Sequence, residues 1–361
     1  MNALEKEIRA LIESEGPMSV SRYMALALAH PLHGYYMTRD PIGAAGDFVT
    51  APEVSQMFGE MIGVWCAEVW RAMGGPAEVH LVELGPGRGT LMSDLLRAAR
   101  VLPEFRAAIK VHLVETSPVL VERQRETLAQ SGADISWHKD FSTVPGGPLI
   151  VVGNEFVDAL PIDQFVRAET GWHERKVGVV GDRLAFAHDP APLPGIEEQL
   201  PARLRPAPPG ALLERTWLAP VRDAARRLAI HGGVALLIDY GHTESGFGDT
   251  LQAVRAHKAA NVLENPGEAD LTAHVDFEML ARTAMQAGVH AVGPVTQGNF
   301  LRALGIELRA ERLKRDQNEA AVKEVDAALA RLTGPTPGMG ELFKAVALVH
   351  PALPAPPGFD G

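Results

Sequence analysis

Val82-Glu83-Leu84-Gly85-Pro86-Gly87-Arg88-Gly89-Thr90 brings one carboxylate and three glycines together where a short apolar run gives way to a helical pattern. A Gly-rich turn in that setting lets a ligand approach the backbone. The helix N-terminus beyond it offers free N–H groups and a positive dipole end to a carboxylate or phosphate. The spacing is G-x-G-x-G, with Glu83 two positions before the first glycine. A nicotinamide-binding loop more usually reads G-x-G-x-x-G, and the Gly-Lys-Ser/Thr of a P-loop is missing. A plain tight turn has the same spacing, so the loop alone decides nothing.

The next strand ends in Val114-Glu115-Thr116-Ser117-Pro118, and a carboxylate at that tip can accept both hydroxyls of a ribose. Asp140 follows the third strand, where it can meet the exocyclic amine of adenine; Asp before Phe141 is also a common turn residue. A ligand with ribose at one end and a zwitterion at the other fits S-adenosylmethionine. The fourth strand runs into Gly153-Asn154-Glu155-Phe156-Val157-Asp158, with polar side chains at the edge where open α/β sheets bind ligands. Asn154 could fix the donor, and Glu155 or Asp158 could pair with a cationic substrate. The competing reading has Asn154 and Asp158 capping the following turn. Asp239-Tyr240-Gly241-His242 ends the fifth strand with the same ambiguity. No metal site is expected: His30, His33, His242, His257 and His274 lack ligand spacing, and one cysteine forbids most zinc sets. G-x-S-x-G is absent too. Cys66, in the apolar-periodic stretch 57–69, reads as a buried inert thiol.

These side chains need a scaffold that brings several strand tips to one edge. Apolar strands over 79–84, 111–115, 134–138, 149–152 and 234–238 alternate with helices such as 90–100 and 118–131. That alternation predicts a parallel sheet covered on both faces. Strands over 289–295 and 342–350 flank a charged helix, 306–332, and their hairpin-like ending predicts an antiparallel last strand. Residues 1–78 read as a helical N-terminal cap. It comprises a helix carrying Leu4, Ile8, Leu11 and Ile12, a second over 19–29, a glycine-rich loop over 34–53 able to close over the site, and a long helix near 54–73. Residues 79–350 form the main domain. Its stretch 165–215 is an insertion on the sheet's edge, holding a hairpin about Gly181-Asp182 and then a Pro-rich linker. A lid-like segment spans 243–280, and 351–361 is a frayed tail.

The 361 residues carry 34 Lys+Arg against 45 Asp+Glu, a net charge of −11 that argues against a nucleic-acid backbone binder. No apolar run reaches the roughly 20 residues that span a bilayer. Met1-Asn2-Ala3-Leu4-Glu5-Lys6-Glu7 has neither the apolar core of a signal peptide nor the Arg-rich, acid-poor composition of a transit peptide. A cytoplasmic protein is the expectation; a homodimer is left open.

From about Arg22 to His350 the sequence resembles the MidA-like class I S-adenosylmethionine-dependent methyltransferases, relatives of a mitochondrial complex I assembly factor. Gly46-Asp47-Phe48-Val49-Thr50-Ala51-Pro52-Glu53, the Glu83–Leu91 stretch, Asn154-Glu155-Phe156-Val157-Asp158-Ala159-Leu160-Pro161 and Asp239-Tyr240-Gly241 carry the resemblance. So do Asp270-Leu271-Thr272-Ala273-His274-Val275-Asp276-Phe277 and Gly293-Pro294-Val295-Thr296-Gln297-Gly298. The resemblance implies a Rossmann-like α/β fold and a protein-arginine methyltransferase acting on a complex I core subunit. Lacking an organelle-targeting extension, the chain would be a bacterial relative whose substrate can differ. The cofactor set is Glu83, Gly85, Gly87, Gly89, Thr90, Glu115, Asp140 and Asn154. An arginine acceptor needs carboxylates to orient its guanidinium, and Glu155, Asp158, Asp47 and Glu53, with Asn154, are the catalytic candidates. Rival readings are a non-catalytic S-adenosylmethionine-binding assembly chaperone, a small-molecule methyltransferase and, against the loop spacing, a nicotinamide enzyme.

Overall fold

The computed structural model describes residues 1–43, 46–47 and 49–359; Ala44, Ala45 and Phe48 of the covering loop and Asp360 and Gly361 of the tail lie outside the described residues. The central sheet has seven main strands: β1 (Val79–Leu84), β2 (Ile109–Val114), β3 (Ile135–His138), β4 (Leu149–Asn154), β5 (Gly233–His242), β6 (His290–Thr296) and β7 (Phe343–Val349). They lie in the order β6-β7-β5-β4-β1-β2-β3. Neighbours from β5 through to β3 are parallel, and β7 runs antiparallel to both β5 and β6. The expected antiparallel last strand is therefore present.

In the middle of the sheet both faces are buried, which is why β4 and β5 open on unbroken apolar runs and not on alternating ones. Leu81, Ile150, Val152, Leu236 and Ile238 face one core, and Val82, Leu84, Val151, Ala235 and Leu237 face the other. The first core is covered by the helices Gln56–Ala72 and Thr90–Ala99, the second by Ala219–His231 and Phe277–Gln286. Strand order reverses between β1 and β4. That switch point opens a crevice at the carboxyl ends of the strands, where such sheets bind ligands.

Several expectations change. The insertion does not lie on the sheet's edge: it leaves β4 and returns to β5, which are neighbours in mid-sheet. It forms its own antiparallel sheet from Ile162–Ala168, Gly171–Val180, Arg183–His188 and Leu212–Thr216, with Met18–Ser19 added at one side. The Pro-rich stretch is no plain linker, since it holds the helix Ile196–Gln199. The strands Gln252–Arg255 and Asp270–Thr272 of the lid-like segment pack with the helices Ala3–Glu15 and Val20–Ala29, burying Ala253 and Leu271 with Leu4, Ile8 and Tyr23. The long helix Gln56–Ala72, read as part of the cap, belongs to the central core through Phe58, Ile62 and Trp65. The charged helix is two, Ile306–Lys314 and Glu319–Thr333, parted where Asp316 takes φ +60° and Asn318 caps the second.

Candidate active site

A cleft of about 820 Å³ lies at the switch point, walled by the loops after β1, β2, β3 and β4 and by Tyr36, Ile42 and the start of Ala219–His231. Gly87 sits in its wall at φ +53°, where a Cβ would lie 2.7 Å from the Ile42 side chain. The left-handed backbone is what favours glycine there; the Ile42 contact is with the Cδ1 end of a flexible side chain that can swing aside. Gly85 shares the left-handed geometry and lines the cleft, whereas Gly89 caps the next helix and backs onto Gln124.

Two buried acceptors on the cleft wall have spare capacity. Glu83 Oε2 and Asn154 Oδ1 have no hydrogen-bond partner among the described residues. Burial, with the nearby Glu115 charge, drives the Glu83 acid well above the ordinary carboxylate range. Buried polar atoms are normally paired, so this wall calls for a donor. The ammonium of a bound amino-acid moiety is such a donor, and the S-adenosylmethionine zwitterion fits here.

Glu115 lines the cleft one strand away, pushed up to about 6 by burial. Ser117 N–H donates to its Oε1 at 2.8 Å and Gln124 Nε2 to its Oε2 at 3.2 Å. The same Gln124 Nε2 donates to Gly87 O at 2.8 Å, so one amide joins Glu115 to the glycine loop. Sequence reading missed Gln124, because nothing marks a helical glutamine as a brace. Replacing Glu115 with Ala is expected to weaken S-adenosylhomocysteine about ten- to hundredfold, roughly 1.5–3 kcal/mol for a lost charge-assisted contact. Titration calorimetry reads this, and wild-type affinity in the variant removes Glu115 from the site. Asp140 also lines the cleft, but its Oδ1 accepts from Ser142 N–H at 2.7 Å, the turn role that competed with adenine contact.

At the tip of β4, Glu155 takes φ +50°, a conformation costly for a side-chain-bearing residue and frequent at functional sites. Its N–H donates to Ile238 O at 2.9 Å, which holds the strained turn against β5. Asn154 Nδ2 and Ala51 N–H both donate to its Oε1, at 3.0 and 3.1 Å. Burial, reinforced by Asp158, pushes the Glu155 acid up to about 8. Asp158 is raised to about 6 and Asp270 to about 7, each chiefly by burial. Asp158 Oδ1 has no hydrogen-bond partner among the described residues, while Tyr36 O–H donates to Asp270 Oδ1 at 2.7 Å. Glu155 and Tyr36 reach the cleft; Asp158 and Asp270 stand behind them. Asp239 resolves as a brace, its Oδ2 accepting from Val157 and Asp158 N–H at 2.9 and 3.1 Å. Asp270 and Tyr36 escaped the sequence reading because only folding brings the cap and the 250–272 segment beside β4.

Glu53 lines the cleft and Asp47 does not, and both have partners within the fold. Glu53 accepts from the Thr90 hydroxyl and pairs with Arg88 at 3.6 Å, tying the covering loop to the glycine loop. Thr90 is likewise committed to Glu53. Asp47 accepts from Tyr35 O–H and Ala256 N–H, both at 2.7 Å, and is not among the residues that line the cleft.

Residues 61–295 match the family described as "Putative S-adenosyl-L-methionine-dependent methyltransferase". The chain belongs to this methyltransferase family. Protein arginine methyltransferase NDUFAF7, mitochondrial, of Xenopus tropicalis is 36% identical, the alignment covering 96% of this chain and 86% of that protein. The Homo sapiens protein of the same name is 37% identical over 87% of this chain and 76% of its own length. A Burkholderia thailandensis structure bound to S-adenosyl-homocysteine superposes with a TM-score of 0.84 at 29% identity, covering 99% of this chain and 93% of that one. The expected class I methyltransferase fold and S-adenosylmethionine dependence therefore stand. The expected cytoplasmic location does not: the curated relatives are named as mitochondrial proteins.

Proposed function

We propose that this methyltransferase acts on a protein arginine, on a core subunit of respiratory complex I, and so serves complex I assembly. The observation that carries the acceptor class is the buried carboxyl group of three, Glu155, Asp158 and Asp270, whose described partners are amide and hydroxyl groups. Buried carboxylates without a cation are costly. A guanidinium offers five donors in a plane and can be forked between two carboxylates. The names of the curated relatives support the same acceptor.

S-adenosylmethionine supplies, when bound, an electrophilic methyl group on a sulfonium centre. The chain's part is alignment and proton handling. Both described hydrogen bonds to Glu155 fall on Oε1, which leaves Oε2 for the acceptor. Asp158, buried behind it, raises the Glu155 acid further through its charge. The attacking nitrogen sheds one proton as it gains the methyl group, and Glu155, a stronger base than an exposed carboxylate, takes it.

Mass spectrometry of a complex I core subunit co-expressed with the enzyme tests the proposal: a methylated arginine is expected. Methyl groups only on other residue types overturn the acceptor class, and no methylated residue at all favours the chaperone. A second result concerns protons. Glu155, the one of the three that reaches the cleft, holds its proton below about 8 and must release it to pair with a cation, so arginine-peptide affinity is expected to rise from pH 6 to 8. Calorimetry in buffers of different ionisation enthalpy should show proton release on peptide binding; none sinks the pairing.

A further inference from the structure

Three histidines that no spacing motif links are joined by the sheet register. His80 lies near the start of β1, His112 in the middle of β2 and His138 at the end of β3. Val82 pairs with His112 and Val114 with His138, so each step to the next strand moves two residues toward the carboxyl edge. His80 Nδ1 meets His112 Nε2 at 3.0 Å, and His112 Nδ1 meets His138 Nε2 at 3.0 Å. His138 Nδ1 meets Thr143 Oγ1 at 2.9 Å. The diagonal thus runs from the buried amino end of β1 to the turn 140–143, part of which walls the cofactor cleft.

Proton positions follow from one end. Thr143 Oγ1 donates to Asp140 O at 2.7 Å, so it must accept from His138 Nδ1–H. His138 Nε2 is then bare and accepts from His112 Nδ1–H, and His112 Nε2 accepts from His80 Nδ1–H. Every link is satisfied by three neutral rings, each protonated on Nδ1. A proton added to His112 or His138 at Nε2 would set two N–H groups head to head.

Resting on the cofactor cleft assigned above, we propose that His80, His112 and His138 form a relay that positions the turn 140–143 for the cofactor only while His112 and His138 are neutral. The charged surroundings favour that state. Arg227, on Ala219–His231, donates to Phe141 O at 2.9 Å and Val144 O at 2.8 Å, clamping the same turn, and its charge opposes a proton on His112 or His138. His231 of that helix lies by Gly146. Asp134, paired with Lys110 at 3.1 Å, favours a proton on His112, but burial outweighs it and holds that ring at about 4. Asp140, in the turn, is held low by its bonds from Ser142.

Coupling of this kind is reciprocal: if a proton on the relay weakens cofactor binding, bound cofactor must make the relay harder to protonate by the same factor. The test is an NMR titration of 15N-histidine-labelled protein from pH 7.5 to 5, free and saturated with S-adenosylhomocysteine. His138 signals are assigned by their loss in His138→Gln. At pH 7.5, His138 should carry its proton on Nδ1, and saturation should lower its pKa by about half a unit or more, a threefold change in binding. Thr143→Val, at an exposed position, cuts the relay from the turn without touching the core. In that variant saturation should leave the His138 pKa unmoved, and calorimetry should show affinity at pH 7.5 weakened about threefold or more. A proton on His138 Nε2, no shift on saturation in the wild type, or an equal shift in Thr143→Val overturns the proposal. Weakened binding with an unaltered His138 shift would mark Thr143 as a turn-former only, and overturns it equally.

Discussion

Gly87→Val is expected to abolish measurable S-adenosylmethionine binding, a loss of roughly a hundredfold or more, equivalent to about 3 kcal/mol. Two costs coincide. A β-branched residue at φ +53° carries backbone strain of about 1–2 kcal/mol. The new Cβ also lies 2.7 Å from the Ile42 side chain, and both residues line the cleft. The Ile42 Cδ1 end can swing aside at small cost, so the backbone strain is the larger of the two, and the loop cannot readily relax it while Gln124 Nε2 donates to Gly87 O at 2.8 Å. Gly74→Val separates the two costs, since Gly74 has φ +86° with nothing within 4 Å of an added Cβ. That variant should lose stability and keep its affinity. Calorimetry with S-adenosylhomocysteine should register no heat for Gly87→Val while circular dichroism stays native. Unchanged affinity in that variant would put the cofactor elsewhere.

The sheet was legible because β4 and β5 are buried on both faces and open on uninterrupted apolar runs, and because β1, though it carries His80 and Glu83, ends at a glycine-rich turn. Burial of Cys66 was legible for the same reason, its helix lying inside the central core. The insertion was harder. Ile162–Ala168 pairs with Leu212–Thr216 across a Pro-rich stretch, and no local pattern announces so distant a partner. The break in the charged helix carries no Pro or Gly, only Arg315-Asp316-Gln317-Asn318, so periodicity ran straight through it.

At the site, residue types at strand tips were readable and their partners were not. Glu53 and Glu155 are both carboxylates in suitable stretches; Arg88 and Thr90 claim the first, while the second keeps an oxygen free of described bonds. The histidines show the limit most plainly. His80, His112 and His138 are 32 and 26 residues apart, and only the stagger of three parallel strands makes them neighbours.

Glu155→Gln is expected to lose methyl transfer by about a thousandfold, the scale of a lost general base, with cofactor affinity intact. Glutamine keeps the shape and can still accept from Asn154 Nδ2 and Ala51 N–H, but it has no charge for the guanidinium and no affinity for its proton. The same change should stabilise the protein in alkaline solution. The folded-state acid is raised to about 8 from an ordinary 4.5, so between those values the native chain holds a proton that the unfolded chain has released. Stability from the neutral form is complete below 4.5 and is lost as pH rises through 8. Glutamine mimics that neutral form at every pH. The Tm of Glu155→Gln should therefore stay close to wild type at pH 5 and exceed it by a few degrees at pH 8.5, while wild-type turnover climbs between pH 6 and 8. Methylation that persists in Glu155→Gln rejects Glu155 as the base, and a Tm difference that does not grow with pH rejects the burial that raises its acid. Gaining stability while losing the reaction is what an ionisable group kept in a dry place for chemistry should do, since the fold alone would be better served by its neutral counterpart.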